Sequence, residues 1–168
     1  MNILRPLFFS AFFMIAATSS QAKVLGTHGD WLVFSETENG NLTCVMSSEP
    51  KKSAGKYKKR GKIFAVISHR PSEKRLNEFS FQAGYNFKKG VDVAVNIDGK
   101  TNLKLFTNGE HAWAIDAQGD KELVRAMRAG NKMIVKGISA RGTKTTDTFS
   151  LKGFTAAMKS INTACKVK

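Results

Sequence analysis

Two cysteines, three histidines and one dense run of cations are the residues of this chain with usable chemistry. Cys44 and Cys165 are too few and too far apart to hold zinc by themselves, so the choice lies between one disulfide and two buried thiols. His28, His69 and His111 are scattered, and none sits in a metal-ligand spacing such as His-Glu-x-x-His. No serine beyond the N-terminal segment lies in a Gly-x-Ser-x-Gly elbow. Asp92, Asp98, Asp116 and Asp120 could pair as acid and base. However, Asp98 reads as a turn residue, Asp120 as a helix cap and Asp92 as the polar face of a strand. Gly26-Thr27-His28-Gly29 and the glycines at 137 and 142 lack phosphate-loop spacing. No catalytic set, metal site or cofactor is expected.

The cationic run is the most distinctive feature. Lys51, Lys52, Lys56, Lys58, Lys59, Arg60 and Lys62 give seven cations and no acid within twelve residues. Such a segment could be a contact loop for polyanions or anionic headgroups. It could equally be a solvated loop, or a sheet edge where lysines discourage strand addition. Tyr57 is its only aromatic residue, which falls short of a nucleic-acid stacking surface. The formal net charge of +14 favours anionic partners in general: a membrane surface, a polyanionic glycan or an acidic protein.

The first 22 residues read as an export signal. Arg5 supplies a positive start, Leu7–Ala17 an apolar stretch, and Ser20 and Ala22 the small residues of a cleavage site. The apolar stretch is short of the roughly 20 residues that a spanning helix needs, although an uncleaved anchor is the competing reading. Cleavage after Ala22 leaves residues 23–168, the length of one domain, with a charge of +13 once Arg5 is lost. Two cysteines in an exported chain pair more often than not. A bond enclosing ~100 residues contributes about 4.7 kcal/mol in the chain-entropy model.

The mature chain reads as short strands between turn signals. Trp31–Phe34, Leu42–Met46, Lys62–Ser68 and Glu78–Gln82 have strand character, and Asn39-Gly40 lies in a turn. Val91, Val93, Val95 and Ile97 alternate with polar or small residues up to Asp98-Gly99, a type I′ turn pair. Leu103 and Leu105 continue on the return strand, Asn108-Gly109 makes a second such turn, and His111–Ile115 follows. Met133–Ile138 and Thr146–Leu151 are also strand-like. Two segments look helical. One is Lys121–Ala129, with Asp120 as cap and Gly130 as stop. The other is the stripe Phe154, Met158, Ile161 and Cys165. The pattern predicts an all-β sandwich or barrel with two short helices. Trp31 and Trp113 are expected in its core rather than at a ligand.

The order of motifs resembles a known family. Gly29-Asp30-Trp31 opens the domain and Cys44 follows. Gly84-Tyr85 and Lys89-Gly90 precede the alternating strand, and Ala112-Trp113 lies beyond it. Then come Leu123–Gly130, Ser139–Thr143, Phe149–Phe154, Ala157 and Cys165. This series resembles the invasion-associated locus B family of exported alphaproteobacterial proteins. The resemblance implies an immunoglobulin-like β-sandwich that is periplasmic, outer-membrane-associated or secreted. It brings no catalytic residues with it. The basic segment 51–62 is a departure, read as an insertion. The expected function is a non-enzymatic interaction module of the envelope or surface, with a contribution to host-cell contact or invasion if the organism is a pathogen. The alternative is a periplasmic structural or stress-related factor with a protein partner.

Overall fold

A computed structural model describes residues 21–167. The expected export signal lies outside these residues except for Gln21 and Ala22, which begin the first strand opposite Thr37 and Glu36. That strand, β1 (Gln21–His28), precedes the first strand expected from the sequence. It forms an antiparallel meander with β2 (Trp31–Glu38) and β3 (Asn41–Ser48). Asn39 and Gly40 turn β2 into β3, both at positive φ (49° and 78°), as a two-residue I′ hairpin requires.

The remaining elements follow in turn. They are β4 (Lys52–Gly55), β5 (Phe64–Arg70), a 3-10 turn at Pro71–Glu73 and β6 (Arg75–Gln82). After them come β7 (Val93–Ile97), β8 (Thr101–Asn108) and β9 (His111–Trp113). The chain ends with α1 (Ala117–Ala129), β10 (Lys132–Ile138), β11 (Lys144–Ser150) and α2 (Phe154–Ala164). The strands join in the order β1-β2-β3-β5-β6-β9-β8-β7-β10-β11-β4, and each adjacent pair is antiparallel.

β8 is the fold line of this ladder. Its first five residues pair with β7 and its last three with β9. The two halves close face to face as a sandwich, the layered architecture that immunoglobulin-like domains share. Phe81 of β6 meets Phe149 of β11 edge-on across the interior, ring centres 6.1 Å apart.

Period-two alternation fills the interior. Val93, Val95 and Ile97 point inward from β7, and Met133 and Val135 from β10. Ala65 and Ile67 do so from β5. α2 covers the sheet around β2 and β3 with Phe154, Ala157, Met158 and Ile161, all buried. Trp31 packs edge-on against Phe154 at 5.0 Å. The stripe then reaches Cys165, which is bonded to Cys44 of β3, the pairing expected from the sequence. Beside the bond sits His69, fully buried. Its Nδ1 accepts the Asn77 N–H at 3.0 Å, so Nε2 carries the proton toward Asn162 Oδ1 at 2.9 Å. Burial holds this imidazole below its ordinary pKa and neutral.

Several local expectations need correction. The cap of α1 is Asp116, whose carboxylate accepts the Gly119 N–H at 2.8 Å. Asp120 lies one turn in and accepts the Phe79 N–H at 2.9 Å, tying α1 to β6. A tertiary partner thus redirects a residue that sequence spacing assigns to a cap. Gly130 has φ −100° rather than the left-handed value of a C′ glycine; a Cβ there would lie 2.5 Å from Ile97 Cγ2. The turn after β8 centres on Gly109 and Glu110, with Gly109 at φ 58° in the first position, so it is not the I′ pair Asn108-Gly109. Val91 falls outside β7. Trp113 is not core: it is partly exposed and stacked between Phe106 and His111, with centroids 5.6 and 5.5 Å away.

Two stability predictions follow from these ties. Reducing Cys44–Cys165 should lower unfolding free energy by about 2–5 kcal/mol, read as a shifted guanidinium midpoint. Burial pushes the Asp120 carboxyl up to about 6 from 3.8, against the opposing Phe79 hydrogen bond. A raised folded value means stability present below the unfolded pKa and lost as pH rises through the folded one. Asp120→Asn keeps an acceptor for Phe79 without the buried charge. Its melting temperature should exceed the parent's near pH ~8 and converge with it below pH ~3.5. Parallel curves across that range would contradict this assignment.

Candidate functional site

The inward alternation of β11 contains one anomaly. Thr145 and Phe149 are ordinary interior residues, but Asp147 between them is a fully buried carboxylate. A buried charge without a partner is strongly unfavourable. The partner comes from near the end of the cationic run. Arg60 Nη1 and Nη2 donate to the two Asp147 oxygens at 2.8 and 2.7 Å, a fork-to-fork pair, and Arg60 Nε donates to the Ala83 carbonyl at 2.7 Å. The two side chains are 3% and 1% exposed.

Aromatic faces complete the enclosure. The guanidinium lies 4.8 Å from the centre of the Tyr85 ring and 5.5 Å from that of Tyr57. Tyr85 is held in turn by Thr145, hydroxyl to hydroxyl at 2.6 Å. Burial works against charge on Arg60, but the Asp147 hydrogen bonds and attraction outweigh it and hold the guanidinium above its ordinary pKa. Burial also raises the Tyr85 phenol.

Arg60 therefore cannot serve as a contact for an outside anion, which corrects its expected role. Its side chain is 3% exposed, and Nε, Nη1 and Nη2 all donate within the protein. It instead fixes the path of its neighbours. β4 pairs with β11 at the edge of one layer, with Thr145 opposite Gly55 and Thr148 opposite Lys52, so the segment expected as loop is partly strand. From β4 the chain crosses to β5 in the other layer. Gly61 N–H bonds the Gly84 carbonyl at 2.9 Å on the way. The two backbones touch so closely that a Cβ on Gly84 would meet the Gly61 carbonyl at 2.5 Å.

The crossing segment forms one wall of a cleft of about 710 Å³, lined by Lys56–Gly61, Gly84–Asn86, Glu110 and the turn Ser139–Arg141 with Thr143 and Thr145. Lys56, Lys58, Lys59 and Arg141 are exposed around it and make no ion pair among the described residues. Glu110 is the single carboxylate in the lining. Of the seven expected cations, Lys56, Lys58, Lys59 and Arg60 come together here. Lys51 instead pairs with Asp30, Lys52 lies on β4, and Lys62 is exposed outside the lining. Arg141 was missed by sequence reasoning; its place in the Ser139–Thr143 turn is the only local signal, because its position on the cleft with Lys58 is set by tertiary structure.

The lining offers ammonium, guanidinium, hydroxyl and amide groups. This set recognises anionic oxygens and the hydroxyls between them. The histidines lie elsewhere. His28 Nε2 meets Ser160 Oγ at 2.8 Å and ties β1 to α2, His69 is beside the disulfide, and His111 stacks on Trp113. Asp98 accepts the Asn131 and Lys132 N–H groups at 2.8 and 2.9 Å, a structural use that adds to its turn.

Removing one member of the buried pair should be costly. Arg60→Ala leaves Asp147 charged and unpartnered, for an expected loss of about 3–5 kcal/mol. Arg60→Met with Asp147→Leu should recover most of it. Chemical denaturation of both variants tests this, and an Arg60→Ala midpoint equal to the parent's would overturn the role of the pair.

No curated protein and no solved structure gives a significant match to the chain. The model of the family described as "Invasion associated locus B (IalB) protein" matches residues 31–162. This span takes in Cys44, the buried pair and the whole cleft, while Cys165 lies just beyond it. The chain belongs to the invasion-associated locus B (IalB) family.

Proposed function

We propose that this protein is an exported, non-catalytic interaction module of the cell envelope or surface, and that it engages an anionic partner through the cleft beside Arg60. The observation that carries the reading is the set of four cations, Lys56, Lys58, Lys59 and Arg141, that make no ion pair among the described residues and surround one concavity, whose 56–61 wall is anchored by a buried ion pair. A formal charge of +14 adds long-range attraction to polyanions. The disulfide suits an oxidising compartment, periplasmic or beyond it. A part in host-cell contact or invasion is the reading that the family's name suggests, and it would require the anionic partner to lie on a host surface.

Retention on a sulfated polymer such as heparin tests the cleft. Lys58→Ser with Lys59→Ser, Arg60 being left intact, should elute at clearly lower salt with an unchanged melting temperature. Binding of the parent should fall steeply with ionic strength. Unchanged retention of the double variant would remove the cleft from the function.

A further inference from the structure

A second surface carries the opposite chemistry. Where β9 ends at Trp113, the chain leaves the sheet and enters α1. A groove of about 720 Å³ opens there between β6, the end of β8 and the start of α1. Its apolar lining is strongly exposed: Ile115 80%, Phe106 44% and Leu76 40%, with Trp113 partly exposed between them. Clustered exposure of large apolar side chains marks an interaction site rather than ordinary surface.

The groove continues along the sheet. Leu32, Ser47, Val66, Ser80, Trp113 and Phe106 are cross-strand neighbours in successive registers from β2 to β8. None of the six is charged and none is buried, so they form one uncharged row over the outer face of the sheet. At about 4.8 Å per strand the row spans roughly 24 Å.

The charges at the rim decide what this surface fits. Its carboxylates are engaged within the protein: Glu78 with Arg70 and Arg75, Asp116 at the helix cap, and Asp120 on the Phe79 N–H. Lys74, Lys104 and Lys121 are exposed and make no ion pair among the described residues. Exposed aromatic and aliphatic side chains flanked by these three lysines match the boundary between acyl chains and anionic headgroups. The uncharged row extends the apolar contact beyond the groove without adding a charge to desolvate.

We infer that this face docks the protein on an anionic lipid surface, with Phe106, Trp113 and Ile115 entering the acyl boundary and Lys74, Lys104 and Lys121 meeting headgroups. This attachment is separate from the cleft, and either can fail without the other.

The two tryptophans allow a direct test, because Trp31 is fully buried and Trp113 is not. The oxidised protein is titrated with vesicles of phosphatidylglycerol and phosphatidylcholine, and with phosphatidylcholine alone. The expected result is a blue shift and quenching by brominated acyl chains on the anionic vesicles only. Phe106→Ser with Ile115→Ser should weaken that binding by roughly tenfold or more, with heparin retention unchanged. Absence of quenching would overturn the inference, as would parental binding by the double variant. Loss of vesicle binding in Lys58→Ser with Lys59→Ser alone would also overturn it and assign lipid headgroups to the cleft. Capture of a protein by this face without vesicle binding would replace lipid by that partner.

Discussion

A guanidinium and a carboxylate buried at the seam between two sheets set the shape of the most basic part of this molecule. Lys56–Lys62 carries too much charge and too little apolar surface to fold by burial alone. Arg60 supplies the exception. Its pairing with Asp147 anchors a segment that links the β4 edge of one layer to β5 of the other. The adjoining lysines consequently stand along the wall of a cleft. An ion pair with this geometry contributes little net stability compared with an apolar replacement. Its effect is on conformation: it anchors the segment that forms one wall of the cleft.

The disulfide works at the other end of the domain. It joins β3 to the end of α2 and holds that helix over β1, β2 and β3. His69 and Asn162 close the polar gap beside it. The two constraints are independent, one covalent and one electrostatic, and they divide the molecule into a stapled end and a cationic end. The apolar face around Trp113 lies on the outer surface of the first layer and belongs to neither.

Much of the fold was legible in the sequence, because period-two alternation and turn chemistry are local signals. The run from Val93 to Ile97, the Asp98-Gly99 turn, the α2 stripe and the cysteine pair all appear where those signals put them. Failures occur where a distant partner outbids a local preference. Asp120 has the spacing of a cap, but the Phe79 N–H claims it and Asp116 takes the cap. Trp113 has apolar neighbours in sequence, yet its alternation puts it opposite Ser80 on the outer face.

The candidate site was legible as composition and not as geometry. Seven cations in twelve residues are plain in the sequence, but nothing local distinguishes Arg60 from Lys58 or Lys59. Only Asp147, 87 residues away, makes that distinction. Arg141 joins the cleft through a turn on the opposite wall, again by tertiary approach. The most direct measurement of the central claim is amide chemical-shift mapping during titration with a sulfated oligosaccharide. Shifts concentrated at residues 56–61 and 139–143, saturable and abolished by high salt, are the predicted result. Shifts spread evenly over all lysine-bearing surfaces, with no saturation at the cleft, would contradict it.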